Sequence, residues 1–475
     1  MKNCIRHLSQ NEIPDLTELL RTLNLKNSFK GELTLHGKDP IIGSPHRLGY
    51  ATASAVGLNS IISAIIWEQR TGKRTNISID IRDALNHLHY SQFIQQSGYK
   101  VVIPVSKQPL NMMYKCKDGR SICLVVGPPY PHLVNKFLNF FDCGNNIASL
   151  QREIRKWNSF ELEEKLNSLK LSACVVRTEK EWLSHPVGAY LNSVPVVEIE
   201  KVADGPKVNF SENPAGPLSG INILDFTHVL AGPLSTQLAA FHGANVLHVT
   251  SPYHRDTLGQ LLPGNTGKKN AYLDLDEQKN RVKMLSLLKK SDVFCHSYSP
   301  GTPEKFNIGL NDVKDINPNG IVYVTISSYG DSGLWKDRCG FEMVGQACSG
   351  FCIDEAKGDA DNPLYSPVLY LNDPLTGNFA FSGILAALRQ RAIEGGSYHV
   401  KVSLARSAMW TKSLGLLSSD DYMDLPREDI HPPRLEAMDT PFGEIKRLSL
   451  PYKYDNLILP QVGPVLPLGA SKPEF

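Results

Sequence analysis

Apolar and polar positions alternate in regular blocks along the second half of the chain. The apolar run 221–226 is followed by a helical pattern over 233–241 and by a second apolar run over 245–249. A strand, a helix and a strand in this order predict a right-handed parallel unit. Helical segments then separate three further predicted strands, at 272–275, 293–298 and 321–327. The pattern predicts an α/β fold with a doubly wound, Rossmann-like parallel sheet.

A helix, a glycine turn, a strand and a second helix occur in this order twice. The later copy begins at 374 and contains the turn at Gly395 and a strand over 398–404. The earlier copy covers residues 51–91, with its turn at Gly72. Aligning the two turns gives an offset of 323 residues (395 − 72). Sequence identity is low, so the pattern alone supports a partial repeat, and two unrelated helix-strand-helix units are the alternative.

A segment rich in Gly, Pro, Ser and Asn divides the chain near its middle, because these residues rarely hold a regular element. Before it, a hairpin-like stretch and several helical segments predict a small α+β domain. After residue 420 the chain is rich in proline, which predicts an extended tail. The predicted boundaries are 1–205 for the partial repeat with the small domain, 206–216 for the linker, 217–419 for the Rossmann-like large domain and 420–475 for the tail.

Composition and charge narrow the classes of partner. The 475 residues are 41% apolar, and 50 Lys and Arg nearly balance 48 Asp and Glu, so we expect no nucleic-acid partner. Nine scattered cysteines without a Cys-x-x-Cys pair indicate reduced thiols and no metal site. The N-terminus lacks the apolar core of a signal peptide, and no run of about 20 apolar residues occurs. We therefore expect a cytoplasmic location and no membrane partner.

The loop after the first strand of the large domain is expected to face a ligand, because ligands bind beyond the carboxyl ends of parallel strands. It reads DFTHVLAGP and contains neither GxGxxG nor GxxxxGK[ST], which argues against a nicotinamide dehydrogenase and an ATPase. No serine lies in GxSxG, so a hydrolase has little support. Lys268, Lys269 and Lys305 lie near predicted strand ends. Each alone is more often a solvated lysine, but together they can neutralise the phosphates of a nucleotide-like ligand.

Asp373 precedes Pro374 at the start of an apolar helical pattern. Residue type and place predict an N-cap at Asp373 and the first helical position at Pro374. A carboxylate there faces free backbone N–H groups and the positive end of the helix dipole. The same donors can hold an oxyanion when the carboxylate attacks an acyl carbon, so the structural and catalytic roles are compatible.

Six motifs, taken in their order, resemble those of the family III CoA transferases, the group of formyl-CoA and carnitine CoA transferases. They are INILDFTHVLAGPLSTQLAAFHGANVLHV, KKNAYLDLD, SDVFCHSYSPGTPEKFNIG, NPNGIVYVTISSYG, GFEMVGQACSG and NDPLTGNFAFSGILAAL. Their order and spacing hold from Gly216 to Trp410. Several motifs in register are far more specific than any one of them.

The resemblance implies CoA and acyl-CoA as substrates, a carboxylic acid as acceptor and no permanently bound cofactor. Asp373 falls on the family's nucleophile, which forms a mixed anhydride and then an aspartyl-CoA thioester. The residues implied as CoA contacts are His228, Val229, Lys268, Lys269, Ser297, Tyr298, Ser299, Lys305 and Tyr329.

Family members are usually interlocked dimers in which each chain runs large domain, small domain, large domain. This chain resembles a rearranged fusion, so we expect either a homodimer or a pseudo-dimer within one chain. The offset of 323 places Tyr50 at the position of Asp373. The first copy therefore cannot use the same chemistry.

Some positions depart from the family pattern. Leu230 stands where formyl-CoA transferases have Gln, which argues against oxalate or formyl-CoA as substrate. Ser297 replaces an Asn, and Lys305 replaces an Arg, which removes a bidentate phosphate contact. Residues 101–108 contain no glycine, although a Gly-rich loop is expected there.

Two other functions remain as alternatives. The α-methylacyl-CoA racemases of the same superfamily use a His and the same Asp, but the His would fall on Phe341, which leaves two-base epimerisation without one partner. The second alternative is a pseudoenzyme that binds CoA without turnover, which the missing glycines and the partial first copy favour.

Overall fold

The fold of the chain is described by a computed structural model, which covers residues 5–6, 14–101, 110–126, 130–253, 256–368, 370–428 and 431–475. The first region contains β1 (Ile5–Arg6), α1 (Pro14–Thr22), β2 (Leu33–His36), α2 (Leu48–Thr71), β3 (Ile77–Asp80), α3 (Ile81–His87), β4 (Gln95–Gln96) and β5 (Tyr99–Lys100). The small domain and the strand after it contain β6 (Met112–Lys115), β7 (Ser121–Leu124), α4 (Pro131–Phe141), α5 (Ile147–Ile154), α6 (Ser159–Ser168), β8 (Ala173–Val175), α7 (Glu179–Ser184), α8 (Pro186–Ser193) and β9 (Glu198–Ala203).

The second half begins with the large domain. Its elements are β10 (Asn222–Phe226), α9 (Ala231–Phe241), β11 (Asn245–Thr250), α10 (Leu258–Gly264), β12 (Lys269–Tyr272), α11 (Gln278–Leu288), β13 (Val293–His296), α12 (Thr302–Lys305), α13 (Leu310–Ile316), β14 (Val322–Ser327), α14 (Glu342–Cys348), α15 (Phe351–Glu355), α16 (Asn372–Glu394), β15 (Ser397–Ser403) and α17 (Leu404–Ser413). The C-terminal region adds α18 (Ser419–Tyr422), β16 (Leu435–Thr440), β17 (Gly443–Leu448) and β18 (Tyr452–Tyr454).

Seven strands form the main sheet, in the order β12-β11-β10-β13-β14-β15-β9. The first six pair in parallel, and counted along the chain they follow the order 3-2-1-4-5-6 of dinucleotide-binding folds. This confirms the predicted doubly wound sheet. One boundary was wrong, because the strand expected at 272–275 lies at 269–272, three residues earlier.

The two copies of the repeat share their strand pairing, and each has a glycine of positive φ directly after its long helix. The long helices α2 and α16 end at Gly72 and Gly395, whose φ angles of +70° and +72° lie in the left-handed region that favours glycine. In each copy two parallel strands are followed by an antiparallel one, as β2-β3-β18 in the first half and as β14-β15-β9 in the second. The two segments therefore have the same order of strand pairing.

Helices α2 and α16 pack against each other near the middle of the protein. The Ser382 hydroxyl donates to Asn59 Oδ1 at 2.5 Å, and these residues are separated by the repeat offset of 323. Equivalent positions that meet in this way indicate an internal pseudo-twofold axis between the helices. Helix α2 is long and apolar enough by composition to cross a bilayer, but 94% of its most apolar window is buried inside the protein. Core packing accounts for that apolarity, since a helix that is hydrophobic on all sides is a buried one.

Each copy contributes its last strand to the sheet of the other copy. Strand β9 follows the small domain of the first half but pairs with β15 in the second half. Strand β18 follows the second half but pairs with β3 in the first. The two halves of the chain thus exchange one strand each.

The C-terminal region is more ordered than the extended tail that its prolines predict. Strands β16 and β17 form an antiparallel hairpin, and β17 also pairs with β4. The residues after β18 run without regular structure over the outer edge of the main sheet, where the Ser471 N–H donates to the Asn270 carbonyl at 2.8 Å. The hairpin was missed because Pro441 lies in its turn and further prolines flank its two strands, so the segment reads as proline-rich.

Candidate active site

A cleft of about 890 Å³ lies beyond the carboxyl ends of β10, β13 and β14. The large domain forms most of its wall, and the small domain closes it from the other side. The residues that the small domain contributes are Tyr130, His132, Leu133, Lys170 and Ser172. The position agrees with the rule that ligands bind at the carboxyl edge of a doubly wound sheet.

Asp373 lies at the inner end of this cleft, in the first turn of α16. Its helix begins at Asn372, so Asp373 is inside the first turn and is not the N-cap that the sequence predicts. The side chain is buried, and burial raises the pKa of Asp373 to about 7. At neutral pH a substantial fraction of these carboxyl groups is therefore ionised inside a poorly hydrated site.

Helix α16 closely approaches the start of α9, directly after the loop that follows β10, at Gly377. A Cβ at this position would lie 2.7 Å from the Ala231 carbonyl oxygen, a separation that real Cβ atoms do not show. The absent side chain lets the start of α16 sit against the loop, and so it brings Asp373 beside Val229 and Leu230. These three residues line one continuous surface.

The start of α16 offers fewer hydrogen-bond donors than the sequence predicts. The Asn372 N–H donates to Glu342 Oε1 at 3.0 Å, and the Asp373 N–H donates to the Tyr370 carbonyl at 3.1 Å. Pro374 has no N–H. The first three positions of the helix therefore hold no free backbone donor, and the expected oxyanion site at these groups is not present.

The loop after β10 holds His228 and Val229 in fixed positions. Val229 has a φ of +69°, an uncommon conformation for a β-branched residue, and its N–H donates to Asp256 Oδ2 at 3.1 Å. His228 Nε2 lies 3.1 Å from the Ser297 carbonyl, and its Nδ1 contacts the Tyr130 hydroxyl of the small domain. Because both nitrogens have partners suited to a neutral ring, and burial lowers the pKa of His228, the ring is uncharged at neutral pH.

The turn after β13 supplies three of the predicted contacts. Ser297, Tyr298 and Ser299 all line the cleft. Tyr298 stacks on His228 with ring centroids 4.5 Å apart, and Ser297 Oγ accepts the His228 N–H at 3.0 Å. The structure brings these residues together with His228, Val229 and Asp373, as the sequence predicts.

Lys268 does not reach the cleft. Its Nζ is fully buried and donates to Asp225 Oδ2 and to the Pro233 carbonyl, both at 2.8 Å. Burial acts to raise the pKa of Asp225, but the charge of Lys268 and the other partners hold it below its ordinary value. The ion pair ties β12 to the end of β10 and the start of α9, so the structure gives Lys268 a stabilising role in place of the predicted phosphate contact.

The other three predicted CoA contacts, Lys305, Lys269 and Tyr329, lie in different parts of the structure. Lys305 lines the cleft, with its Nζ 3.1 Å from Asp276. Lys269 is exposed near the C-terminus at the outer edge of the sheet, and Tyr329 is buried against Trp335 with ring centroids 5.0 Å apart. Of these three, the structure places only Lys305 where a ligand in the cleft can meet it.

Several lining residues were not predicted. The small-domain residues Tyr130 and Lys170 reach the cleft through folding of the chain, and no sequence pattern marks them. Lys336 and Arg338 also line the cleft, in a segment that contacts the small domain through Lys170 and Glu164, and they follow the SSYG motif closely enough to have been candidates. The segment that was expected to carry a Gly-rich loop, residues 101–108, falls almost entirely outside the described residues.

A second, smaller pocket of about 80 Å³ adjoins the cleft at Asp373. Asp373, Val229, Leu230 and Phe341 line both spaces. The other residues that line the smaller pocket are Ser91, Gln92, Val101, Asn111, Val125, Thr257, Gly259, Gln260, Glu342, Met343 and Tyr370. The first half, the small domain and the large domain all contribute to it, so this part of the site depends on both copies of the repeat.

Comparison with known proteins agrees with the geometry of the site. The sequence model of CoA-transferase family III matches residues 218–429, which contain the loop after β10, the turn after β13 and Asp373. This part of the chain therefore matches CoA-transferase family III. The described residues contain no group of His, Cys, Asp and Glu side chains able to hold a metal ion.

Two similar proteins and one solved structure match this chain with different sequence identities and over different lengths. The acetyl-coenzyme A transferase nodX of Hypoxylon pulicicidum is 30% identical over 77% of this chain and 65% of that protein. The formyl-CoA:oxalate CoA-transferase of Streptomyces avermitilis is 34% identical over 40% of this chain and 49% of that protein. A crystal structure of Rv3272 from M. tuberculosis aligns at 32% identity and a TM-score of 0.40, over 42% of this chain and 57% of that chain. The chain thus spans from half to just under two thirds of the length of these family III proteins.

Proposed function

We propose that the protein transfers CoA between an acyl-CoA and a carboxylic acid, with Asp373 as the nucleophile. The observation that carries the proposal is the position of Asp373, a buried carboxyl group at the junction of a cleft large enough for CoA and a small pocket. The motif likeness and the names of the two similar proteins support the same reaction class.

In this proposal CoA occupies the larger cleft. The pantetheine arm passes the loop at His228 and Val229. Lys305, Lys336 and Arg338 are basic groups in the cleft wall that can meet its phosphates, with Lys305 exchanging its contact with Asp276 and Arg338 its contact with Glu164. Tyr130 closes over His228 from the small domain. The thioester then lies at Asp373, where the two spaces meet.

The reaction begins with attack of the Asp373 carboxylate on the thioester carbonyl. The C–S bond breaks, and a mixed anhydride and CoA thiolate form. The thiolate attacks the aspartyl carbonyl and displaces the acid as a carboxylate, which leaves an aspartyl-CoA thioester. An incoming carboxylate reverses these steps and departs as the new acyl-CoA. Burial favours this route, because in an anhydride that water cannot reach, the aspartyl carbonyl is attacked by the thiolate instead of being hydrolysed.

Trapping with hydroxylamine tests the nucleophile directly. The protein is incubated with acetyl-CoA, propionyl-CoA and succinyl-CoA in turn, treated with hydroxylamine and digested for mass spectrometry. We expect a hydroxamate on Asp373 with at least one of these donors and none in Asp373→Ala. Labelling at a different carboxylate would overturn the assignment, and absence of any label with every donor would favour a CoA-binding protein without turnover.

A further inference from the structure

Glu342 is a buried carboxyl group beside Asp373, and its two oxygens have very different surroundings. Three donors meet at Oε1: the Asn372 N–H at 3.0 Å, the Asn372 side-chain amide at 3.0 Å and the Gln346 amide at 2.7 Å. The other oxygen, Oε2, is buried and has no hydrogen-bond partner among the described residues. A buried polar atom without a partner is costly, so its retention calls for an explanation.

The surroundings of Glu342 favour its neutral form. Burial, followed by the charge of Asp373, raises the pKa of Glu342 to about 8. The other titratable groups that face it are Cys123 on β7, Cys352 on α15 and Tyr365, and burial raises the pKa of each of them. None of these groups carries a positive charge. Since Oε1 accepts all three hydrogen bonds, the proton belongs on Oε2.

Asp373 and Glu342 line the same small pocket, where negative charge develops during transfer. Each attack on a carbonyl at Asp373 creates an oxyanion, and such an oxygen needs a donor in a dry site. The backbone at the start of α16 does not provide one, because the N–H groups of Asn372 and Asp373 are already engaged and Pro374 has none. Leu230, on the loop side, has an apolar side chain.

We propose that Glu342 acts as a neutral carboxylic acid whose Oε2–H donates a hydrogen bond to the oxyanion that forms at Asp373. The inference rests on the proposed transfer reaction and adds a residue to it. No covalent bond is made to Glu342, and its proton stays on Oε2 throughout, so the steps written above remain balanced. The three donors on Oε1 hold the group in place and fix which oxygen carries the proton.

Two substitutions at this position separate a neutral donor from an ionised carboxylate. In Glu342→Gln the amide oxygen can accept the same three hydrogen bonds, and the amide N–H replaces the acid O–H. In Glu342→Leu both functions are lost. We expect Glu342→Leu to lower the transfer rate about 100-fold or more, as loss of one oxyanion donor does, and Glu342→Gln to remain within about tenfold of wild type.

The rate is measured as exchange of CoA between acetyl-CoA and isotopically labelled acetate, and CoA binding is measured separately. We expect both variants to bind CoA as wild type does.

The pH profile gives a second readout that a purely structural role would not change. The wild-type rate should fall as the pH rises above about 8, where Glu342 loses its proton, and this fall should be absent in Glu342→Gln. Glu355→Gln is the matched control, since Glu355 is a buried glutamate outside the cleft, bonded to Ser44 and His46.

The outcomes distinguish this inference from the proposed function. A wild-type protein that exchanges no label overturns both. Exchange in wild type with Glu342→Gln as slow as Glu342→Leu overturns the inference alone, because it would require an ionised Glu342. An exchange rate of Glu342→Leu within threefold of the wild-type rate would also overturn the inference alone. If Glu342→Leu does not fold, the exchange rate and pH profile of Glu342→Gln still test whether Glu342 acts as a neutral donor.

Discussion

The two long helices of the repeat begin in contrasting ways. At the start of α16 a carboxyl group belongs to the helix itself, as Asp373, and faces the cleft. At the start of α2 the equivalent position is Tyr50, and a carboxylate reaches the helix from the preceding loop: Asp39 accepts the N–H groups of Gly49 and Tyr50 at 3.2 and 3.1 Å. One carboxyl group faces the cleft, and the other accepts hydrogen bonds from backbone N–H groups of its helix.

The difference shows how one structural unit can hold either a reactive group or a stabilising one. The Asp39 carboxylate uses backbone donors, which act to lower its pKa, and burial raises that pKa only to about 6. For Asp373 burial raises the pKa to about 7. The described part of the first copy also has no counterpart of β10 to β13, and therefore none of the loop and turn that would hold CoA.

The largest difference between the two helix starts is expected when Asp373 and Asp39 are each replaced by alanine. Asp373→Ala should lower CoA exchange between acetyl-CoA and labelled acetate about 1000-fold or more, because it removes the attacking group. Asp39→Ala is the matched control and should retain most of the rate. Activity of Asp373→Ala within about tenfold of wild type would exclude Asp373 as the nucleophile.

Lys268 is a buried charge with a partner, Asp225, so its substitution should affect the stability of the fold more than CoA exchange. Lys268→Met leaves Asp225 buried and unpaired, which should cost about 3–5 kcal/mol of unfolding free energy. Denaturant unfolding measures the loss. The double variant Asp225→Leu with Lys268→Met is the control, since removing both charges should recover part of that stability. If Lys268→Met instead weakened CoA binding with unchanged stability, the sequence-based role of Lys268 would be restored.

Asp373 should also reduce stability in a pH-dependent way. Its pKa is raised from 3.8 to about 7, so the folded protein binds a proton that the unfolded chain releases, and stability falls as the pH rises through this window. Asp373→Asn removes that effect. Its stability gain over wild type should grow by about 2 kcal/mol between about pH 5.5 and pH 8, at 1.36 kcal/mol per pKa unit. A gain that is equal at both pH values would mean that Asp373 titrates normally.

The smallest effect is expected at the start of α2. Asp39→Ala leaves the N–H groups of Gly49 and Tyr50 without their acceptor, which should cost about 1–2 kcal/mol, as loss of a helix cap does. Thermal unfolding at a pH near 7.5 measures this change, and CoA affinity should stay the same. A loss of CoA affinity as large as that caused by changes in the cleft would contradict the structural role.

The sequence predicted most of what depends on local pattern. The doubly wound parallel sheet follows from the alternation of apolar runs and helical periods, whereas Asp373, His228, Ser297 and Tyr298 were nominated through the family resemblance, and the structure places them around one cleft. Lys268 was misplaced because a motif gives position along the chain and not the direction of a side chain. Glu342 lay in a recognised motif, but its role depends on which donors surround each oxygen, and only the fold determines that. The contribution of the small domain to the cleft is a long-range contact with no local signal.

The exchange of strands between the two copies has a consequence for how the protein is made. The sheet of the first half is completed by β18, and beside it Thr75 donates to Asp455, a residue 380 positions later in the chain. During synthesis β3 therefore leaves the ribosome with an open edge that stays unpaired until almost the whole polypeptide has been released. Open sheet edges attract other chains, so we expect the nascent protein to depend on chaperones and truncated products to aggregate.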